Sequence, residues 1–146
     1  MDATHLEEAL DAAKSAGLWQ IRIAGAGGGR MDQALGNLFL LQNPAFKQMD
    51  VRLDDGCTEI FLAKGKAIVT GQPGDIVSLL PLGGDVEGVT TTQMRYPLCS
   101  ETLFSYGSRG ISNVMLMDEA VVTLKSGRLI VVHMRCSEKI SSMGEV

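Results

Sequence analysis

The stretch Gly27-Gly28-Gly29-Arg30-Met31-Asp32-Gln33-Ala34-Leu35-Gly36-Asn37-Leu38 decides how this chain is read. Residues 18–24, Leu-Trp-Gln-Ile-Arg-Ile-Ala, alternate partly in polarity and predict a strand just before it. From about residue 30 to 42, Met31, Ala34, Leu35, Leu38 and Leu41 recur at helical spacing and are expected to face a core, with Pro44 ending the helix. The glycines between strand and helix free the turn, and Arg30 and Asp32 stand at the helix mouth, where backbone N–H groups can meet a phosphate. Upstream, Thr4 and Glu7 fit a capping box leading into Leu6, Ala9, Leu10 and Ala13, with Gly17 as the stop. Helix, strand, glycine loop and helix in succession predict a layered α/β unit.

Beyond Pro44 the period becomes two. Met49, Val51 and Leu53 alternate with Asp50, Arg52 and Asp54, and Asp55-Gly56 gives the signal of a type I′ hairpin into Thr58, Ile60 and Leu62. Lys64-Gly65-Lys66 and Gly71-Gln72-Pro73-Gly74 read as turns. Short strands follow at 76–80, 86–92, 102–106, 120–125 and 128–134, with Ser126-Gly127 as a last hairpin turn and a polar tail from residue 137. That punctuation predicts a β-sandwich or barrel. A second polar cluster, Tyr106-Gly107-Ser108-Arg109-Gly110-Ile111-Ser112-Asn113, lies among these strands. Trp19, beside the first strand, reads most simply as core or interface.

The chain has 146 residues, 45% of them apolar, enough for a real core. Its net charge of −4 and pI near 5.1, without a basic run, argue against a nucleic-acid partner. No apolar run approaches the roughly 20 residues of a membrane span. The polar start Met1-Asp2-Ala3-Thr4-His5 is unlike a secretion signal, so a cytoplasmic protein is expected. Cys57, Cys99 and Cys136 are odd in number and far apart, which predicts reduced thiols.

Generic motifs fail. A G-x-G-x-x-G reading from Gly25 needs glycine where Arg30 stands, and no phosphate-loop G-x-x-x-x-G-K-[ST] is present. Ser108 in Gly107-Ser108-Arg109-Gly110 falls one position short of a nucleophile elbow, and neither His5 nor His133 is tied to it. His133, closing an apolar strand, reads as a paired structural histidine. Two histidines and three cysteines show no zinc spacing.

A series of fragments resembles the thiamine pyrophosphokinases. In family order it comprises Gly28-Gly29-Arg30-Met31-Asp32-Gln33 with Asn37-Leu38, Ser78-Leu79-Leu80-Pro81-Leu82, and Gly88-Val89-Thr90-Thr91-Thr92. Tyr96-Pro97-Leu98, Gly107-Ser108-Arg109-Gly110-Ile111-Ser112-Asn113 and Leu124-Lys125-Ser126-Gly127 complete it, so that it covers most of residues 1–134. The resemblance implies a partial three-layer, Rossmann-like α/β catalytic domain (residues 1–70), then an antiparallel β-sandwich that binds thiamine (71–136) and a flexible tail (137–146). It implies transfer of diphosphate from ATP to the thiamine hydroxyl, giving thiamine diphosphate and AMP, with Mg²⁺. It also implies a homodimer with a shared thiamine site.

Family members carry further α/β units upstream, with acidic residues for metal and nucleotide, so an N-terminally shortened form is expected. Met1-Asp2-Ala3-Thr4-His5 resembles the end of an Asp-x-Asp-x-Thr-Asp segment. Asp2 is then the metal-ligand candidate, whereas His5 replaces an aspartate and suits Mg²⁺ poorly. A fragment that binds thiamine and dimerises without phosphoryl transfer is the alternative.

Two readings stay open for each site residue. Asp32 can orient or deprotonate the thiamine hydroxyl, or simply favour a helix dipole. Arg30 can meet phosphate charge or sit in a surface ion pair. Gln33 can bond substrate or cap the turn. Ser108, Ser112 and Asn113 can line a thiamine pocket, their hydroxyl and amide groups suiting an aminopyrimidine, or can merely make turns. Thr90, Thr91 and Thr92 read as strand rather than site.

Overall fold

The structure, a computed structural model, describes residues 5–25 and 30–135. Thr4, the glycines at 27–29 and the tail therefore lie outside the described residues, as does Asp2. The chain divides into two compact units, residues 1–61 and 62–146.

The first unit opens with helix α1 (His5–Ser15), with Glu7 and Glu8 in its first turn and Lys14 in its last, charges that favour the helix dipole. Only Leu10 is fully buried, so the helix holds by one anchor along its apolar stripe. A Schellman motif stops it: Gly17 N–H donates to the Lys14 carbonyl and Leu18 N–H to that of Ala13, both at 3.0 Å. This needs the left-handed φ of +80° that Gly17 supplies. Strand β1 (Gln20–Ile23) runs parallel to β2 (Asp50–Asp54), with α2 (Met31–Leu40) as the crossover between them. Leu41, Phe46 and Met49 then enter the core.

The expectation for α2 needs correction. Leu41 is buried and Ala34 and Leu38 are half-buried, but Met31, Leu35 and Phe39 are 77%, 48% and 52% exposed. Residues 34, 38 and 41 share one stripe, while 31, 35 and 39 lie about a quarter-turn round the helix. An apolar arc that wide exceeds what this unit covers. Trp19 is also largely exposed, which removes the core reading for it.

β2 turns antiparallel into β3 (Thr58–Ala63), with Leu53 opposite Ile60 and Asp54 opposite Glu59. The hairpin stands where the sequence places it, but its turn is not type I′. Positive φ occurs at Gly56 (+90°) and not at Cys57. The Asp55 carboxylate completes the turn by accepting from Cys57 N–H (2.9 Å) and Thr58 N–H (2.7 Å). Cys57 is disulfide-bonded, contrary to the expected set of reduced thiols. Cys99 is free and exposed.

The second unit is all strand: β4 (Lys66–Thr70), β5 (Ile76–Pro81), β6 (Val86–Thr92), β7 (Glu101–Leu103), β8 (Asn113–Val114), β9 (Glu119–Thr123) and β10 (Leu129–Met134). They pair in the orders β10-β5-β8 and β4-β9-β6-β7. Strands β9 and β10 thus lie in different sets, so Ser126-Gly127 is a crossing between them rather than a hairpin. The crossing is zipped to β6, Ser126 accepting from Glu87 N–H and Lys125 donating to the Glu87 carbonyl. Val77, Leu79, Val86, Val89, Val122 and Leu129 are essentially without solvent contact. Each contributes about 1.5–3 kcal/mol of apolar burial.

His133 is paired and structural. It is fully buried with Nε2 2.7 Å from Asp75 Oδ2, and a Cβ at Gly71 would meet that carboxylate at 2.4 Å. Asp75 also accepts from Gln72 N–H, so the pair ties the turn before β5 to β10. Asp75→Ala is expected to destabilise the protein by about 3 kcal/mol, read as a lower urea midpoint, because it strands a buried partner. A second expectation concerns acid. Hydrogen bonds from Thr58 and Cys57 N–H hold the Asp55 carboxyl below the ordinary aspartate value. Its contribution is present above about pH 4 and is lost as pH falls through the depressed value. In unfolding measured from pH 5 to 2, Asp55→Asn should lose that part of the acid dependence.

Candidate functional site

Arg30 and Asp32 meet at the start of α2. The Arg30 guanidinium grips the Asp32 carboxylate with two parallel bonds, Nη2–Oδ2 at 2.6 Å and Nε–Oδ1 at 3.1 Å. Asp32 also accepts from Gln33 N–H at 2.9 Å, satisfying one of the helix's first amides. Both partners are exposed, at 71% and 65% of their side chains. Asp32 and Gln33 line a cleft of about 610 Å³ with Gly36, Asn37, Leu40 and the α1 residue His5. His5 Nδ1 lies 3.6 Å from Glu8 Oε2 in the open.

Ser108, Ser112 and Asn113 belong to the second unit, the two serines on the loop between β7 and β8 and Asn113 opening β8, and they split by direction. Ser108 and Ser112 are exposed. Asn113 is buried, and its amide closes on Tyr96 from both sides: Oδ1 accepts Tyr96 N–H (3.0 Å) and Val114 N–H (2.9 Å), while Nδ2 donates to the Tyr96 carbonyl (2.8 Å). The sequence reading missed residues beside this loop. A cleft of about 410 Å³ is walled by Leu79, Leu103, Phe104, Tyr106, Glu101 and Arg109, among others, and by none of Ser108, Ser112 and Asn113. Phe104 and Tyr106 stack with centroids 5.4 Å apart and planes at 16°. Arg109 pairs with Glu101. An apolar floor and an aromatic flank suit a flat ring, while the cleft's carboxylate, Glu101, is already matched by Arg109. Tyr106 and Arg109 stood within the quoted cluster, but nothing in their spacing separated wall from turn.

Thr91 and Thr90 serve the strand. Their hydroxyls accept from Leu98 and Ser100 N–H, each at 2.9 Å, and secure the 96–100 loop to β6.

A third polar group spans β1, β2 and β3. Arg22 bonds Asp54 (2.6 Å), and Arg52 bonds Glu59 (2.6 Å) and Asp50 (3.1 Å) while lying over the Phe61 ring. Burial works against the Arg52 charge, but Glu59 and Asp50 more than offset it and its pKa is raised. Two arginines and three carboxylates bonded across adjacent strands make this group a structural network. Among the described residues no three His, Cys, Asp or Glu side chains converge as metal ligands, and no helix is long and apolar enough to cross a membrane.

Residues 66–130 match the profile of the thiamin pyrophosphokinase vitamin B1 binding domain. The thiamine pyrophosphokinase of Bacillus subtilis is 32% identical over 136 residues, 90% of this chain and 63% of that protein. The chain is similar to the thiamine pyrophosphokinases over most of its length. The crystal structure of the Bacillus subtilis enzyme superimposes with a TM-score of 0.84 and 28% identity, over 91% of this chain and 63% of that one. That of the Geobacillus thermodenitrificans thiamin pyrophosphokinase gives 0.79 and 26%, over 92% and 62%. The chain thus spans a little under two thirds of these relatives. The similarity carries the coarse architecture, mostly β with few helices among the described residues.

The Asn113 geometry predicts that Asn113→Ala costs about 2–3 kcal/mol in thermal or urea unfolding, since it leaves Tyr96 N–H and carbonyl without their partner. Ser108→Ala, on an exposed turn, should change stability by less than about 0.5 kcal/mol.

Proposed function

We propose that this chain works as a thiamine diphosphokinase, moving diphosphate from ATP to the hydroxyl of thiamine. The observation that carries the reading is the vitamin B1 binding profile over residues 66–130, in a unit that holds the aromatic-flanked cleft. In the reaction the thiamine hydroxyl oxygen bonds to the β-phosphorus of ATP. The bond from that phosphorus to the oxygen shared with the α-phosphate breaks, and AMP leaves with that oxygen. The hydroxyl proton passes to Asp32, whose exposed carboxylate borders a cleft at a helix start. Arg30, already a two-pronged donor to one anion, takes charge from the transferred phosphates. Gln33, Ser108, Ser112 and Asn113 complete the proposed thiamine contacts, Asn113 acting through the loop it fixes.

In this reading the first unit is part of a Rossmann-like α/β catalytic domain and the second an antiparallel β-sandwich, with two copies sharing each thiamine site in a homodimer. Mg²⁺ accompanies the ATP phosphates and neutralises their charge. The described residues do not assemble a site for it, and Asp2, the proposed ligand, is not among them, so no step is routed through the ion.

Calorimetry of the chain with thiamine, and AMP formation from ATP with thiamine and Mg²⁺, test the proposal. Thiamine should bind, and Asp32→Ala should weaken binding or turnover at least tenfold with an unfolding midpoint close to that of the parent protein. No thiamine heat at millimolar ligand overturns the reading. Binding without AMP release overturns the transfer step.

A further inference from the structure

Strand β5 and the segment after residue 110 run antiparallel, with Ile76 opposite Val114 and Val77 opposite Asn113. Regular continuation would place Ser112 opposite Ser78 and Ile111 opposite Leu79. The ladder instead breaks at Ser112, whose φ of +62° is left-handed and therefore unusual for a residue with a side chain. Beyond the break, Leu79 N–H donates to the Gly110 carbonyl at 2.8 Å. Gly110 lies so close to β5 that a Cβ there would stand 2.4 Å from the Leu79 carbonyl oxygen.

The bond from Met115 N–H to the Asp75 carbonyl makes Asp75–Met115 and Val77–Asn113 the bonded pairs of this ladder, so a regular strand would aim the Ser112 N–H away from β5. The left-handed turn brings it toward β5 instead, where it needs an acceptor. Ser78 supplies one from its side chain: its Oγ accepts from Ser112 N–H at 2.9 Å. Ser78 is only 7% exposed, so removing that oxygen would leave the amide facing a methyl group rather than ready solvent. β10 grips β5 along its other edge over six register pairs, Ser78 facing Val132, so the hydroxyl sits on an immobile strand.

We propose that Ser78 is a positioning residue for substrate binding: its buried hydroxyl accepts the amide that the turn directs at β5, holds Ser112 left-handed, and sets the loop that presents Ser108, Arg109 and Ser112 before thiamine arrives. The inference rests on the thiamine reading above and assigns Ser78 no contact with substrate. A loop ordered in advance spares the ligand the cost of ordering it.

Amide hydrogen exchange and thiamine calorimetry on the parent chain, Ser78→Ala and Ser78→Thr test this, with Val132→Ala as a control that loosens the same strands while leaving the hydroxyl in place. In Ser78→Ala the Ser112 amide should exchange at least tenfold faster while the β5–β10 ladder stays protected. The thiamine Kd should rise about tenfold, the equilibrium factor of one lost hydrogen bond. Ser78→Thr, which keeps the hydroxyl, should restore both, and Val132→Ala should move neither.

An unchanged Ser112 exchange rate in Ser78→Ala overturns the proposal, as does an unchanged Kd alongside faster exchange. An equal rise of Kd in Val132→Ala reduces the effect to general stability and also overturns it. A parent chain that binds no thiamine overturns the functional reading instead, and the exchange result then still decides whether Ser78 holds the loop.

Discussion

Strand β5 is bonded along both edges, and the second unit depends on that saturation. On one side β10 matches it residue for residue from Ile76 to Pro81. On the other the chain from Gly110 to Met115 is stitched on by the Leu79, Ser78, Val77, Ile76 and Asp75 contacts in turn. A strand with no open edge has no unsatisfied ladder groups and no freedom to slip, because a shift by one residue would turn Val77 and Leu79 out of the core. The irregular loop borrows this rigidity. It carries little regular structure, yet its backbone is anchored at nearly every second residue.

That dependence gives the recurring fragments a physical meaning. Thr91 fastens Leu98, Asn113 fastens Tyr96, and Ser78 and Leu79 fasten Ser112 and Gly110. Fragments scattered through the sequence are partners in space, bonded mostly through side chain to backbone. They mark the fold at least as strongly as any site, which is why six weak fragments in order carry information that each alone lacks.

The α/β opening and the strand-rich remainder were legible because their periods differ, 3.6 against 2. Strand β4 was not: its alternation is masked by Ile68, an apolar residue on the exposed face of a five-residue run between two turns. β8 has only two residues, too few for any period. The 126–127 crossing looks like a hairpin locally, because Ser-Gly turns serve both purposes. Only the pairing of β9 with β4 and β6 tells them apart. For the site the ambiguity is chemical. Glycine, serine and asparagine make turns and bind polar ligands with the same atoms, so the sequence could name Ser108, Ser112 and Asn113 but not say that two face outward and one locks the loop.

Two of the close acid–base pairs among the described residues illustrate how burial separates use from support. His133 and Asp75 meet without solvent, so parting them would cost about 3–5 kcal/mol and no cycle of binding could open them cheaply. Arg30 and Asp32 meet at a similar distance but in water, where such a pair contributes about 0–1 kcal/mol. An arriving phosphate can therefore take the guanidinium from the carboxylate at little cost. In the proposed reaction the carboxylate is then freed for a hydroxyl proton at the moment the anion is bound. The exposure that makes this ion pair nearly worthless to the fold is what suits it to the proposed transfer.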